Sequence, residues 1–176
     1  MVDKPDPTVH AAPATGATGA AGDELPVRAA SHHDTAEILR LAALMYDALG
    51  MGPVGEDWGN AARSHLAVRL GSDAAVFVAD DPRCPGRLVA IGAGSITRRL
   101  PGPRNIEATA GYIQWVATDP AWRRHGLATR ITQALLDWFK ENGVRAVELH
   151  AAPAGEQIYR SLGFQEGPNP GLRLRF

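Results

Sequence analysis

The sequence predicts an α/β (α+β) chain with the element order β-αα-βββ-α-β-α-ββ, and three observations carry that prediction. Residues 74–79, with Val76, Phe77 and Val78, are apolar on both parities over the length of a strand, as a strand buried on both faces is. Ile38, Leu41, Met45 and Leu49, and again Leu127, Ile131, Leu135 and Trp138, recur at helical spacing. Between these, residues 112–116 read as a strand that turns at Asp119-Pro120 and runs into a helix near Gly126.

The elements follow in chain order. Residues 1–24 combine Pro5, Pro7 and Pro13 with Ala, Thr and Gly, a composition that cannot offset the entropy of ordering and reads as a disordered tail. Residues 25–176 then form a single domain. A short strand is expected over 25–30, and Ser31-His32-His33-Asp34 has the form of a capping box that opens the first helix. Gly50 stops that helix. A flexible loop over 50–59 holds Glu56, Asp57 and Trp58, and a second helix covers 60–70. After the strand at 74–79, Asp80-Asp81-Pro82 and Pro85-Gly86 bracket a turn. The strand at 88–96 contains Gly92 and Gly94, which mark a bulge or the close approach of another backbone. A proline-broken loop over 98–108 leads to the strand at 112–118. The next helix runs from Gly126 to about residue 142 and ends at Gly143. A strand at 144–150, a short helix at 155–162, and closing strands at 164–165 and 172–176 complete the chain.

Composition narrows the function. The 176 residues are 45% hydrophobic and 21% charged, ordinary for a soluble globular domain with a real core. A net charge of −1 leaves no broad electrostatic footprint for nucleic acid or an anionic membrane, and no apolar run approaches the ~20 residues of a membrane span. The single Cys84 excludes an intramolecular disulfide and points to a reducing, cytoplasmic setting. No phosphate-loop motif is present, and Gly92-Ala93-Gly94 lacks the third glycine of a dinucleotide turn. His32-His33-Asp34 is better explained by capping than by a metal, so none is expected.

The stretch Val116-Ala117-Thr118-Asp119-Pro120-Ala121-Trp122-Arg123-Arg124-His125-Gly126-Leu127-Ala128 is the one that carries chemistry. A basic, glycine-containing turn at a helix start combines bare N–H groups with the positive end of the helix dipole, which binds phosphate. Its spacing Arg123-x-x-Gly126-x-Ala128, followed by Tyr159-Arg160-Ser161-Leu162-Gly163-Phe164, resembles the acyl-CoA turn and the downstream tyrosine motif of the GNAT superfamily, the Gcn5-related N-acetyltransferases. The resemblance is sharpest over 110–166 and general over 25–109. It implies a mixed, largely antiparallel central sheet flanked by helices and splayed where the acyl-CoA enters. It further implies acetyl-CoA as co-substrate and direct attack by a primary amine of a small molecule or peptide, with a homodimer as a mild expectation. The alternative reading is an acyl-CoA-binding sensor or assembly module without turnover.

Acetyl transfer from a thioester to an amine requires a neutral amine, a donor for the developing oxyanion and a proton for the departing thiolate. By resemblance, Tyr159 is the acid. The resemblance also implies that the main chain of Val116, Ala117 and Thr118 supplies the oxyanion donor and pairs with the pantetheine arm. Arg123, Arg124, His125, Gly126, Leu127, Ala128 and Thr129 surround the diphosphate. The base is less defined. Tyr112, Gln114 and Val116 are expected on one face of their strand and none is a strong base, which leaves Glu107 as the nearest carboxylate, His150, or water. Where family members carry an Asn before the tyrosine helix, this chain has Ala151-Ala152-Pro153. Tyr46, Asp47, Glu56, Asp57 and Trp58 are expected to receive a cationic amine beside an aromatic wall.

Overall fold

The computed structural model describes residues 25–103, 105–167 and 171–174. The expected tail at 1–24 lies outside them. Five strands form one sheet in the order β1-β2-β3-β4-β5: β1 (Val27–Ala29), β2 (Ala74–Asp80), β3 (Leu88–Arg98), β4 (Thr109–Thr118) and β5 (Val147–Leu149). The first four are antiparallel neighbours and β5 runs parallel to β4. Helices α1 (Thr35–Ala48) and α2 (Glu56–Arg69) cover one face, α3 (Leu127–Glu141) covers the other, and α4 (Glu156–Ser161) packs beside α3. The mixed, largely antiparallel sheet is the one expected.

The capping box is present, but it closes a 3-10 turn, His32–Asp34, ahead of α1. Ser31 N–H donates to Asp34 Oδ2 at 2.7 Å, and Asp34 N–H returns a bond to Ser31 C=O at 3.1 Å. Arg28 of β1 donates to Asp34 at 2.8 Å and to Asp80 at 2.7 Å, so one guanidinium ties the sheet edge to the start of α1. That contact holds the Asp34 carboxyl down at a pKa of about 2. The core stripe of α1 is Ile38, Leu39, Leu41 and Ala42. Leu49, expected in that stripe, lies past the last helical turn and is 49% exposed.

The loop expected at 50–59 is shorter than its composition implied. Helix α2 starts at Glu56 with Gly55 as its N-cap, so Glu56, Asp57 and Trp58 are helical. The two carboxylates in the first turn favour that start through the helix dipole, and a side chain at Gly59 would meet nothing. At the other end of the chain, the closing strands are absent among residues 164–167 and 171–174, while 175 and 176 lie outside the described residues. Gly167, Pro168, Pro170 and Gly171 interrupt that stretch, and prolines donate nothing to a ladder.

Glycines set how closely α3 lies on the sheet. A Cβ on Gly92 would collide with the Ile131 side chain, one on Gly94 would stand 2.7 Å from Phe139 Cζ, and one on Gly111 2.8 Å from two carbons of the same ring. The side chains of α3 therefore rest on bare backbone, where Gly92 and Gly94 were expected to mark a bulge or the close approach of another backbone; the register shifts beside Gly94. Phe139, fully buried, completes the Leu127, Ile131, Leu135 stripe, whereas Trp138, expected there, is only half-buried. Leu135 and Phe139 are one i,i+4 step apart, and that step points the ring into the glycine notch.

A bulge in β4 breaks the strand's alternation. Ala93 pairs with Trp115 and the next residue, Gly94, pairs with Ile113, leaving Gln114 as the extra residue. Ile113 and Val116 consequently both pack on the α3 side, while Trp115 and Ala117 pack under α1. The common face expected for Tyr112, Gln114 and Val116 does not exist for this reason. Beyond the bulge β5 no longer follows: its ladder joins only Gly111–Ile113 to Val147–Leu149. The sheet is split at that point.

Candidate active site

The split opens a groove of about 700 Å³ between the C-terminal half of α1, the end of β4, the start of α3, and α4. One end is the turn between β4 and α3. Asp119 accepts from Ala121 N–H at 3.1 Å and caps a 3-10 turn, Pro120–Trp122, after which the backbone changes hand. Arg124 is held at φ 69° and Gly126 at φ 72°. A left-handed conformation is unusual for arginine, costs of the order of 1 kcal/mol, and clusters at ligand-holding turns. The first backbone bond of α3 is Arg130 N–H to Gly126 C=O, at 3.1 Å, so the N–H groups of Leu127, Ala128 and Thr129 leave the helix end without an intrahelical acceptor. Those of Arg124, His125 and Gly126 have no backbone acceptor among the described residues either.

The side chains divide the labour. The His125 ring folds back, its Nδ1 contacting Arg123 C=O at 2.8 Å and Trp122 C=O at 3.2 Å, so the imidazole braces the turn and its backbone N–H is left outward. Both partners are acceptors, so Nδ1 carries the proton. Arg123 and Arg124 are exposed at the groove rim and make no ion pair among the described residues. Two unpaired guanidiniums over a row of bare amides suit a polyanion. Val116, Ala117, Thr118, Gly126, Leu127, Ala128 and Thr129 line the groove with them, while His125 does not.

Tyr159 of α4 and His150, just past β5, also line the groove. Tyr159 is half-buried, edge-on to Phe164 at 5.9 Å, and desolvation raises its pKa above the ordinary phenol value. It stays protonated across the working pH range, as an acid must. His150 Nδ1 lies 2.9 Å from Tyr112 Oη, a bond that fixes the ring. Glu107 is not brought here. It sits on the β3–β4 loop and pairs with Arg145 at 3.1 Å, both largely exposed.

Of the residues expected to form an aromatic wall, Tyr46 and Trp58 are brought together, but Trp58 does not line the groove. Trp115 Nε1–H donates to Tyr46 Oη at 2.9 Å, and Trp58 stands edge-on to Tyr46 at 5.6 Å. Tyr46 lines the groove. Glu56 and Asp57 are exposed at the head of α2 and line no part of it, because the helix starts earlier than expected and turns them outward.

A clamp that the sequence did not announce holds the turn to α1. Glu37 accepts from Arg40 at 2.8 Å and from Leu88 N–H at 3.0 Å. Arg40 in turn donates to Leu88 C=O at 2.7 Å and to Asp119 at 3.4 Å. The Arg40 guanidinium holds the Glu37 carboxyl below its ordinary pKa. The only local signal is the i,i+3 pair Glu37-x-x-Arg40.

These features place one gap between strands beside a turn of bare amides and exposed arginines. The sequence matches the model of the acetyltransferase (GNAT) family over residues 37–164, and the chain belongs to that family. Among solved structures it is similar to a predicted acetyltransferase from Clostridium acetobutylicum solved with acetyl-CoA (TM-score 0.77, 22% identity, covering 86% of this chain and 96% of that one). It also resembles a GCN5-related N-acetyltransferase from Ralstonia eutropha JMP134 (0.71, 18%, 86% and 99%). A third is glucosamine-6-phosphate N-acetyltransferase from Arabidopsis thaliana (0.64, 20%, 86% and 99%). At these identities the likeness is one of fold. No curated protein matches the sequence significantly. Among the described residues no group of three or more side chains could hold a metal ion, and no helix is long and apolar enough to cross a membrane.

Proposed function

We propose that this chain is an N-acetyltransferase that moves an acetyl group from acetyl-CoA to a primary amine by direct attack. The observation that carries the reading is that one groove is lined both by a turn of bare amides and free guanidiniums and by a protonated tyrosine. The diphosphate rests on the N–H groups of residues 124–129, with Arg123 and Arg124 adding charge. The pantetheine arm runs along the unpaired edge of β4, where Val116–Thr118 offer main-chain groups that β5 no longer uses. The amine nitrogen bonds to the acetyl carbonyl carbon as the carbon–sulfur bond breaks. Tyr159 Oη gives its proton to the departing sulfur, and the new ammonium releases one proton to His150, taken as the base in place of Glu107. For that step Nδ1–H donates to Tyr112 Oη and leaves Nε2 with its lone pair.

The test is release of free thiol from acetyl-CoA on adding primary amines. Amine-dependent release that saturates in both substrates supports the reading. Saturable acetyl-CoA binding with no release on any amine replaces it with the alternative, a non-catalytic sensor or assembly module.

A further inference from the structure

A second cavity, of about 320 Å³, lies between α2 and the sheet and is separate from the groove. Ala74, Val76 and Ala93 form its floor; Trp58 and Trp115, 6.2 Å apart, form its wall. The Trp115 ring is pinned by its bond to Tyr46, which faces the groove on the far side of the same wall. One residue lines both spaces: Gln114, the bulge residue. The two cavities therefore adjoin at Gln114, where β4 parts from β5.

The charge in this lining is one-sided. Its titratable groups are His65 and Arg69, and Arg69 is engaged by Asp73 through Nε at 2.9 Å and Nη2 at 2.8 Å. No carboxylate lines the cavity among the described residues, and Glu56 and Asp57 at the head of the same helix stand outside it. A cationic group placed here finds no counter-charge. Beside His65 and Arg69, an additional positive charge is disfavoured relative to an apolar body.

We propose that this cavity holds the body of the acceptor, and that the acceptor is an apolar monoamine. It is a primary amine carried on an aromatic or branched aliphatic group, with no second positive charge. At the roughly 30 Å³ that a water-sized group occupies in a liquid, the space takes about ten such groups. Trp58 and Trp115 give an aromatic body edge and face contacts, and the amine reaches past Gln114 into the groove. The inference rests on the transferase reading and adds the acceptor's class to it.

Thiol release by the full chain at saturating acetyl-CoA, with 2-phenylethylamine, spermidine and glucosamine 6-phosphate compared, tests it. The kcat/KM for 2-phenylethylamine is expected to exceed the other two by at least tenfold. Ala61 is exposed on α2 and lines the cavity mouth, so Ala61→Phe narrows the cavity without disturbing the core. It is expected to raise the KM for 2-phenylethylamine at least tenfold and to leave the KM for acetyl-CoA unchanged. Preference for spermidine or the amino sugar, or an Ala61→Phe variant with unaltered 2-phenylethylamine kinetics, overturns the acceptor assignment while the enzyme stands. Acetyl-CoA binding with no thiol release on any amine overturns the transferase reading, and this inference with it.

Discussion

Replacing Gly111 by alanine tests whether the seating of α3, and through it the anion-binding turn, depends on bare backbone in the sheet. An alanine Cβ at this position stands 2.8 Å from Phe139 Cδ1 and Cε1 and 3.1 Å from Cγ. Carbon atoms rest about 3.5–4.0 Å apart, so the ring must retreat by roughly 0.7 Å or more. Phe139 is fully buried among Ile113, Leu135 and Val144, so that retreat disturbs the core. Overpacking of this kind costs about 1–3 kcal/mol. The smaller backbone entropy of alanine in the unfolded chain returns about 0.4–1 kcal/mol, leaving a net loss of about 1–2 kcal/mol. Urea unfolding followed by far-ultraviolet circular dichroism measures it. Phe139→Leu shortens the side chain facing the notch, so the double variant should be more stable than the sum of the single losses implies, by about 1 kcal/mol. A neutral or stabilising Gly111→Ala, or strictly additive losses, would refute the packing argument.

Three further outcomes follow from the same geometry. Tyr159→Phe keeps the ring against Phe164 and removes only the hydroxyl; kcat should fall about 10²–10⁴-fold with acetyl-CoA affinity unchanged, and a kcat within threefold of the parent removes Tyr159 as the acid. Arg40→Ala strips a part-buried carboxylate and a backbone carbonyl of their donor and should cost about 2–3 kcal/mol in urea, with weaker acetyl-CoA binding because Asp119 loses a tether. Asp34 titrates at about 2 when folded and 3.8 as a free side chain, a depressed pKa, so its stabilisation is complete above roughly pH 4 and fades as pH falls toward 2. After allowance for solvent screening this amounts to about 1 kcal/mol, and Asp34→Asn should abolish that part of the acid dependence of the unfolding midpoint.

What the sequence made legible was chemistry carried by neighbours in the chain. The turn at 123–129 announces itself because arginines, a glycine and a small residue must be adjacent to make it, and the tyrosine helix is marked by the residues that end it. Gly92 and Gly94 were readable as a bulge or a close approach of another backbone because glycine in a strand interior has few other uses. The bulge opposite Ala93 and Gly94 was flagged by those glycines, but the residue of β4 that it displaces was not readable. Gln114 becomes the extra residue only through its register with Ala93 and Gly94, and that register sets which face Tyr112 and Val116 occupy. The same limit hid the clamp, since Arg40 and Asp119 are 79 residues apart. Glu107 looked nearest to the site along the chain, but its loop carries it to Arg145 instead. Residue 150 is more distant in sequence from the turn and closer to the groove, because β5 pairs in parallel with β4 and ends at the split.

A crystal structure of the chain with coenzyme A tests the central claim most directly. The account predicts diphosphate oxygens within hydrogen-bonding distance of the N–H groups of residues 124–129, Arg124 still left-handed, and the sulfur beside Tyr159 Oη. Coenzyme A seated anywhere else, or a diphosphate held by side chains while those amides face water, would contradict it.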